Sequence, residues 1–277
     1  MSEALANGAA RLSAGGSARL DAELLLCHCL QKPRSYLYTW PDEALNETAS
    51  EQYLTLLSRR AGGEPIAYIL QTRMFWSLDL AVDSAVLIPR PETETLIEAA
   101  LQLDNPRQAR VLDLGTGSGA IALALASERP GWRLTATDNS KSAVQIARQN
   151  QRRLGLTNVS FLLSDWFAAL DGERFDMIVS NPPYIAEHDT HLTEGDVRFE
   201  PHSALIAGVD GLDAIRNIVA NASGHLTDPG WLVLEHGFDQ AAAVRNLFLQ
   251  HGFAALEVIK DLIGHPRVTL GANRKAK

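Results

Sequence analysis

The chain has 277 residues, of which 46% are hydrophobic and 21% are charged. This is the composition of a folded globular protein, and it excludes a disordered, collagen-like or coiled-coil chain. Acidic residues outnumber basic ones by 33 to 25, for a net charge of -8, and such a surface disfavours general binding to a phosphate backbone.

Two helical patterns occupy the first sixty residues, and we expect residues 1–65 to form a small all-helical domain. The first pattern, over residues 20–30, has apolar positions three and four residues apart. The second starts at Thr48-Ala49-Ser50-Glu51, which is a capping-box sequence. Gly62-Gly63-Glu64-Pro65 then ends it.

The two cysteines, Cys27 and Cys29, both lie in the first helical pattern. Two positions apart on a helix, they point roughly 200° away from each other, and no other cysteine is present to complete a metal site. We therefore expect core thiols, no metal and a reducing cytoplasm. The longest apolar run, residues 120–126, is far shorter than the ~20 residues that cross a membrane, so no span is predicted.

Residues 66–89 change character, since short alternating or β-rich pieces that include Ile69 predict a β-hairpin linker. From Arg90 to the end, strand and helix patterns alternate, which predicts a doubly wound, mostly parallel α/β sheet with helices on both faces. The predicted strands are 110–115, 133–138, 159–165, 175–181 and 231–235, with two more around Val258 and Val268, and the predicted helices are 120–127, 142–154, 212–226 and 241–251.

A glycine-rich loop follows the first strand of this region and opens a helix. At such a point the backbone turns tightly and approaches a ligand closely, which suits a nucleotide-like cofactor. We expect the loop to bind it through Gly115, Thr116, Gly117, Ser118 and Gly119. Because Ala120 also fits the pattern G-x-G-x-x-G/A, the glycines alone do not separate NAD from S-adenosylmethionine.

Two acidic residues at later strand ends complete the predicted cofactor site. Asp138 ends the second strand, where a carboxylate accepts hydrogen bonds from ribose hydroxyls. Asp165 ends the third strand and is placed to accept from an adenine amino group, while the neighbouring Trp166 covers the ring.

The tetrapeptide Asn181-Pro182-Pro183-Tyr184 follows the fourth strand, at the same sheet edge as the glycine loop. The prolines stiffen the backbone and supply no N–H donors, so the segment presents acceptors. We expect the Asn181 side-chain oxygen and the Pro182 carbonyl to hold the two hydrogens of a planar NH₂ group, with Tyr184 against its plane. Asn181, Pro182 and Tyr184 are the predicted catalytic residues, and Pro183 joins them in binding substrate.

These motifs together resemble the class I S-adenosylmethionine-dependent methyltransferases, and among them the protein-(glutamine-N5) methyltransferases of peptide-chain release factors. The resemblance covers nearly the whole chain. Besides the glycine loop and the tetrapeptide, it rests on Gly63-Glu-Pro-Ile-Ala-Tyr68, Leu87-Ile-Pro-Arg-Pro-Glu-Thr-Glu94, Ser164 to Phe167, Val197-Arg-Phe-Glu-Pro201 and Leu234-Glu-His-Gly237.

The resemblance implies a helical N-terminal domain that recognises the release factor, a hairpin linker and a Rossmann-like, seven-stranded catalytic domain over residues 90–277. It implies S-adenosylmethionine as cofactor, also bordered by Asn181, and the glutamine of a Gly-Gly-Gln loop as the group held by residues 181–184. One alternative keeps the chemistry but takes an exocyclic amine of a DNA or RNA base, which has the same flat NH₂ geometry. A non-enzymatic release-factor or ribosome binder and a nicotinamide dehydrogenase are weaker alternatives.

Four further charged or titratable residues lie near these motifs. Arg90, Glu92 and Glu94 either border the cofactor or pair with each other at a helix start, where the helix dipole favours glutamate. His236 follows a strand, and we expect it to be structural rather than catalytic.

Overall fold

The computed structural model describes residues 1–12 and 16–273. The chain divides into two compact units, one made of Met1–Thr72 and Thr193–Phe199, the other of the remaining residues. The last four residues of the predicted catalytic domain lie outside the described residues.

The first unit is helical, as predicted. Its helices are α1 (Ser2–Arg11), α2 (Ala18–Leu30), α3 (Arg34–Thr39), α4 (Glu47–Ala61) and α5 (Ile66–Leu70). Leucines of α2, α3 and α4 form its core together with Tyr53. Helix α4 begins one residue before the predicted capping box, because Asn46 caps it by accepting a hydrogen bond of 2.8 Å from the backbone N–H of Ala49.

Two further expectations for the N-terminal region are corrected. Residues 66–70 form a short helix after Pro65 rather than an extended piece, and Ile69 is buried in the helical core. Cys27 and Cys29 are partly buried at the edge of this core instead of lying inside it. Burial raises the pKa of both thiols, so they are protonated at neutral pH.

The hairpin follows in strands β1 (Thr72–Phe75) and β2 (Leu78–Ala81), which form a two-stranded sheet. Trp76 occupies the turn with a φ of 55°. Its backbone N–H donates to the carboxylate of Glu94 at 2.8 Å, which fixes the hairpin turn to the start of the next helix.

Seven strands form the main sheet in the order β5-β4-β3-β6-β7-β9-β8. The first five in this order are parallel, and β9 runs antiparallel between β7 and β8. The strands are β3 (Arg110–Leu114), β4 (Arg133–Asp138), β5 (Val159–Leu163), β6 (Phe175–Ser180), β7 (Leu226–Glu235), β8 (Phe253–Lys260) and β9 (Pro266–Asn273).

Five helices cover the two faces of this sheet, and each face has its own apolar core. The helices are α6 (Glu94–Gln102), α7 (Ala120–Glu128), α8 (Lys141–Leu154), α9 (Asp213–His225) and α10 (Ala241–Gln250). Apolar residues of α6, α7 and α8 lie in one core, and those of α9 and α10 lie in the other. The predicted doubly wound architecture is therefore confirmed.

The strand register brings the predicted motifs to one edge of the sheet. Leu114, the last residue of β3, pairs with Thr137 on one side and Ser180 on the other. Ser180 in turn pairs with Leu234 on β7. The strand order reverses between β3 and β6, which is the position where open α/β sheets bind ligands.

Candidate active site

The glycine loop after β3 borders a pocket and leaves it open. The pocket lining includes Gly115, Gly117, Asp138, Trp166 and Asn181. A Cβ added at Gly117, where φ is +56°, would meet no described atom within 4 Å, and one added at Gly115 would lie 3.8 Å from the Trp166 ring. Both glycines thus present bare backbone to a space where a ligand approaches closely.

The two hydroxyl residues of the glycine loop, Thr116 and Ser118, form hydrogen bonds with neighbouring parts of the protein. Thr116 is buried and donates its hydroxyl hydrogen to Asp113 Oδ2 at 2.6 Å. Ser118 is also buried, and its carbonyl oxygen accepts from the side chain of Asn150 on α8 at 2.9 Å. Neither residue lines the pocket in the described part of the chain, so their predicted cofactor contacts remain predictions.

Asp113 adjoins the glycine loop, but the motifs did not predict it as a functional residue. It is fully buried, and burial raises its pKa to about 7, although hydrogen bonds from Thr116 and a backbone N–H oppose the shift. Its Oδ1 atom has no hydrogen-bond partner within the described ranges. The signal in the sequence is one acidic residue inside an otherwise apolar strand, Val111-Leu-Asp-Leu114.

Asp138 lies at the end of β4, where the prediction placed it. Its two carboxylate oxygens accept from the backbone N–H groups of Gly117 and Ser140, each at 2.8 Å. Burial raises its pKa, and the two hydrogen bonds oppose that rise. Since a carboxylate offers about four acceptor positions, lone pairs remain for ligand hydroxyls.

Asp165 and Trp166 follow β5 at the same edge. Asp165 is exposed, Trp166 is half-buried, and both line the pocket. Trp166 has a φ of 45°, a left-handed conformation that is uncommon for a residue other than glycine. Its ring lies beside the Gly115 backbone, so the structure brings this aromatic group to the glycine loop.

The tetrapeptide follows β6 and is held by side chains from two distant segments. The Asn181 side-chain nitrogen donates to Thr93 Oγ1 at 3.1 Å, and the Tyr184 hydroxyl donates to Glu235 Oε1 at 3.3 Å. Pro182 is buried, and Pro183 lines the pocket together with Asn181. The Asn181 amide oxygen is consequently the end of that side chain left for another donor.

Thr93 and Glu235 are functional candidates that sequence reasoning missed. Thr93 is buried just before α6, and Glu235 is fully buried at the end of β7. Burial raises the pKa of Glu235 to about 7, against the lowering effects of Thr93, Arg267 and Tyr184. Its Oε2 atom has no hydrogen-bond partner in the residues that the structure describes. Both residues occur in the motifs quoted above, but nothing in the sequence indicates that they meet.

With this geometry, the chain can be compared with known proteins. Residues 3–70 match the family model of the PrmC N-terminal domain, and residues 92–197 match that of the methyltransferase small domain. The release factor glutamine methyltransferase of Pseudomonas aeruginosa is 57% identical over 255 residues, covering 92% of each chain. The enzyme of that name from Xylella fastidiosa strain Temecula1 is 56% identical, covering 91% of this chain and 92% of its own.

The chain belongs to the release factor glutamine methyltransferase family. The predicted family resemblance is thereby confirmed. A methyltransferase from Pyrococcus furiosus superposes with a TM-score of 0.55 at 17% identity, over 79% of this chain and 98% of that one. At that identity the likeness concerns the fold alone, and it confirms the methyltransferase-type sheet.

Within the described residues, the charged residues before α6 neither pair with each other nor line the pocket, which were the two roles predicted for them. Arg90 forms an ion pair with the buried Glu200 instead of with Glu92 or Glu94. Glu94 accepts from the Trp76 backbone, and the charge of Glu92 raises the pKa of Glu235. Arg90, Glu92 and Glu94 are not among the described residues that line the pocket.

His236 is structural, as expected. It is fully buried, and its two ring nitrogens lie 2.8 Å from the Gly237 carbonyl and 2.9 Å from Thr269 Oγ1. Burial lowers its pKa, so the ring is neutral at physiological pH. With both nitrogens occupied, the ring has no free position for proton transfer.

The described residues contain neither a cluster of metal ligands nor a membrane-spanning helix. Among residues 1–12 and 16–273, no group of three or more His, Cys, Asp or Glu side chains is arranged to hold a metal ion. In the same ranges, no helix combines the length and the hydropathy that crossing a membrane requires.

Proposed function

We propose that this protein transfers a methyl group from S-adenosylmethionine to the side-chain amide nitrogen, N5, of the glutamine in the Gly-Gly-Gln motif of peptide-chain release factors. One observation carries the proposal. The amide of Asn181 is held through its nitrogen by Thr93, which leaves its oxygen as an acceptor beside the pocket. Relatives that cover 92% and 91% of this chain are named release factor glutamine methyltransferase, which supports the proposal.

The difficulty of the reaction lies in the nucleophile. An amide nitrogen is a poor nucleophile because its lone pair is delocalised into the carbonyl group. Asn181 Oδ1 and the Pro182 carbonyl each accept one of its N–H hydrogens, which raises the electron density on nitrogen. The ring of Tyr184 lies against the amide plane, and orientation of this kind is worth ~7 to 11 kcal/mol in well-aligned reactions.

The residues around the pocket fit S-adenosylmethionine. The bare backbone at Gly115 and Gly117 admits the ligand closely, and Asp138 keeps lone pairs for the ribose hydroxyls. Asp165 and Trp166 line the pocket, where Asp165 would accept from the adenine amino group and Trp166 would cover the ring. The cofactor supplies an electrophilic methyl group on a sulfonium and leaves as S-adenosylhomocysteine.

Atoms and charges balance without a strong base. The glutamine nitrogen gains one N–C bond as the S–C bond breaks, keeps both of its hydrogens and becomes cationic, and one of these hydrogens then leaves as a proton. An N-alkylated, cationic amide is a strong acid, so this proton leaves to water. The task of Asn181, Pro182 and Tyr184 is therefore to orient the amide, and none of them needs to ionise.

We assign residues 1–65 to recognition of the release factor, 66–89 to the linker and 90–277 to catalysis. A separate N-terminal domain is supported by the match of residues 3–70 to the model of the PrmC N-terminal domain. Release factors act in translation, so the proposal also places the protein in the cytoplasm. It assigns neither a metal nor a stable nucleic-acid partner to the chain.

The test is incubation of the purified protein with labelled-methyl S-adenosylmethionine and an unmodified bacterial release factor, followed by peptide mass spectrometry. Transfer RNA, ribosomal RNA and DNA serve as parallel acceptors. We expect label on the glutamine of the Gly-Gly-Gln peptide. Label on nucleic acid alone would replace the proposal with base methylation, and cofactor binding without label on any acceptor would contradict enzymatic transfer to these substrates.

A further inference from the structure

A row of neighbouring polar side chains connects the tetrapeptide to one buried carboxyl group, that of Glu235. Asn181 donates to Thr93 Oγ1, and the Thr93 side chain lowers the pKa of the neighbouring Glu235 carboxyl group. Tyr184 donates to Glu235 Oε1 from the other side. Glu235 thus contacts one of the two predicted catalytic side chains directly and reaches the other through Thr93.

The direction of these hydrogen bonds matters more than their number. An asparagine amide has a donor end and an acceptor end of nearly equal size, and rotating it by 180° exchanges them. A threonine hydroxyl is equally ambivalent, since it can donate or accept. Neither residue can decide alone which end of Asn181 faces the pocket.

Glu235 removes this ambiguity, because an ionised carboxylate only accepts hydrogen bonds. The lone pair of Thr93 Oγ1 accepts from Asn181 Nδ2 at 3.1 Å, so the Thr93 hydroxyl keeps its own hydrogen for an acceptor. The ionised Glu235 carboxylate, which Thr93 stabilises, is such an acceptor. The amide of Asn181 consequently keeps its oxygen toward the pocket. The same carboxylate accepts the hydroxyl hydrogen of Tyr184, so this hydrogen is not available to the substrate.

We propose that Glu235 is a positioning residue, which fixes the hydrogen-bond direction of Asn181 through Thr93 and that of Tyr184 directly, so that the tetrapeptide presents acceptors to the substrate amide. The inference rests on the proposed function, because only an NH₂ substrate requires acceptors there. Glu235 itself is fully buried and does not line the pocket in the described ranges.

Charged and titratable groups face Glu235 from three neighbouring segments. Arg267 on β9 favours its ionised form, Glu92 before α6 disfavours it, and Tyr184 after β6 donates to it. Burial dominates, and the resulting pKa of about 7 places the change of charge in an accessible range. Below this pH the Glu235 carboxyl group is protonated and can donate a hydrogen bond, so it no longer fixes the hydrogen-bond directions of Thr93 and Asn181. Activity should therefore fall as the pH decreases through 7.

The test uses four variants of the full chain. E235Q preserves shape but gives the group a donor end, T93V removes the connecting hydroxyl, and T93S restores it. The matched control is D176N. Asp176 also accepts from a threonine hydroxyl, that of Thr227 at 3.2 Å, but it lies near the beginning of β6, at the opposite edge of the sheet.

For each variant we would measure kcat and KM for an unmodified release factor between pH 6 and 9, the Kd for S-adenosylmethionine, and the Tm. We expect E235Q and T93V to lower kcat about 10-fold or more, the order of one oriented hydrogen bond. KM and Kd should stay within about threefold of the wild-type values, while T93S and D176N stay close to the wild type in kcat. The decline of kcat below pH 7 should be absent in E235Q.

Two results would overturn the positioning role. The first is wild-type kcat in E235Q. The second is an equal loss in T93S and T93V that parallels their loss of Tm, which would indicate packing alone. The wild-type protein separates this failure from that of the proposed function: if it does not methylate the glutamine, both proposals fall, whereas if it does, the variants alone decide.

Discussion

Asp138 offers a sharp test of the cofactor site, because each of its two carboxylate oxygens has one known hydrogen-bond donor and keeps a lone pair for a ligand. Each accepts one backbone N–H at 2.8 Å, from Gly117 in the glycine loop and from Ser140 at the start of α8. Replacing it with asparagine keeps its size. The new amide retains one acceptor oxygen but turns an NH₂ group toward the second N–H, so one of the two hydrogen bonds must be lost.

The structure sets the magnitude of this loss. A hydrogen bond to a charged acceptor contributes about 1.5 to 3 kcal/mol, and we expect Asp138→Asn to lower the free energy of unfolding without ligand by about that much. If Asp138 also accepts from ribose hydroxyls, the variant loses a second bond of this kind on binding. The Kd for S-adenosylmethionine should then rise by a factor of roughly 10 to 150.

Isothermal titration calorimetry with S-adenosylmethionine and urea denaturation of the unliganded protein measure the two effects separately. Asp171→Asn is the control, since Asp171 is exposed in the turn before β6 and should change neither quantity. A lower unfolding free energy with an unchanged Kd would refute the ribose contact and leave Asp138 as a support of the loop alone. If neither the unfolding free energy nor the Kd changed, the expected contribution of about 1.5 to 3 kcal/mol from these hydrogen bonds would be refuted.

Three further predictions concern other parts of the molecule. Asn181→Ala should lower kcat by about 10²- to 10³-fold, the effect of removing one aligned polar group, with an unchanged Kd for S-adenosylmethionine; equal kcat in mutant and wild type would remove its role. Burial raises the pKa of Glu23, but hydrogen bonds from Tyr38, Arg34 and Arg19 outweigh it and hold the pKa at about 2. The stability that Glu23 gives the helical unit is therefore complete above pH 4.5 and decreases as the pH falls toward 2, and urea unfolding of Glu23→Gln should show a weaker dependence over this range. Phe248→Ala should cost about 3 to 5 kcal/mol, since this fully buried ring packs against Phe253 at a centroid distance of 5.1 Å; a change below ~1 kcal/mol in denaturation would contradict the assigned core.

The sheet could be predicted because its strands carry a strong signal. The central strands β3 and β6 are buried along most of their length and are largely apolar, and each is followed by a polar or glycine-rich motif. The helices α1, α3 and α5 were missed for the opposite reason. Helices α3 and α5 have six and five residues, too few to display a period of 3.6. Ser2–Arg11 carries few large apolar residues, and only Leu5 and Gly8 of this helix are buried.

The site was predicted as far as strand ends allow. Gly115, Asp138, Trp166 and Asn181 were located because each follows a strand of a parallel sheet, and such ends share one edge. The partners of these residues could not be found in that way. Asn181 meets Thr93, and Tyr184 meets Glu235, across large distances in sequence. Pairings of this kind depend on how α6 and β7 pack, which no local pattern encodes.

A buried carboxyl group lies next to each of the two central motifs, the glycine loop and the tetrapeptide. Asp113 accepts from Thr116 behind the glycine loop, and Glu235 accepts from Tyr184 behind the tetrapeptide. In each carboxyl group one oxygen has no partner in the described residues, and burial raises the pKa to about 7. A raised pKa means that the folded state favours the protonated form, so each group costs stability as the pH rises from its unfolded value toward 7. Apolar residues at these two positions would cost less folding stability, but they could not set the hydrogen-bond direction of the Thr116 and Tyr184 hydroxyls. The cost is therefore what we expect where the sheet supports chemistry rather than its own stability.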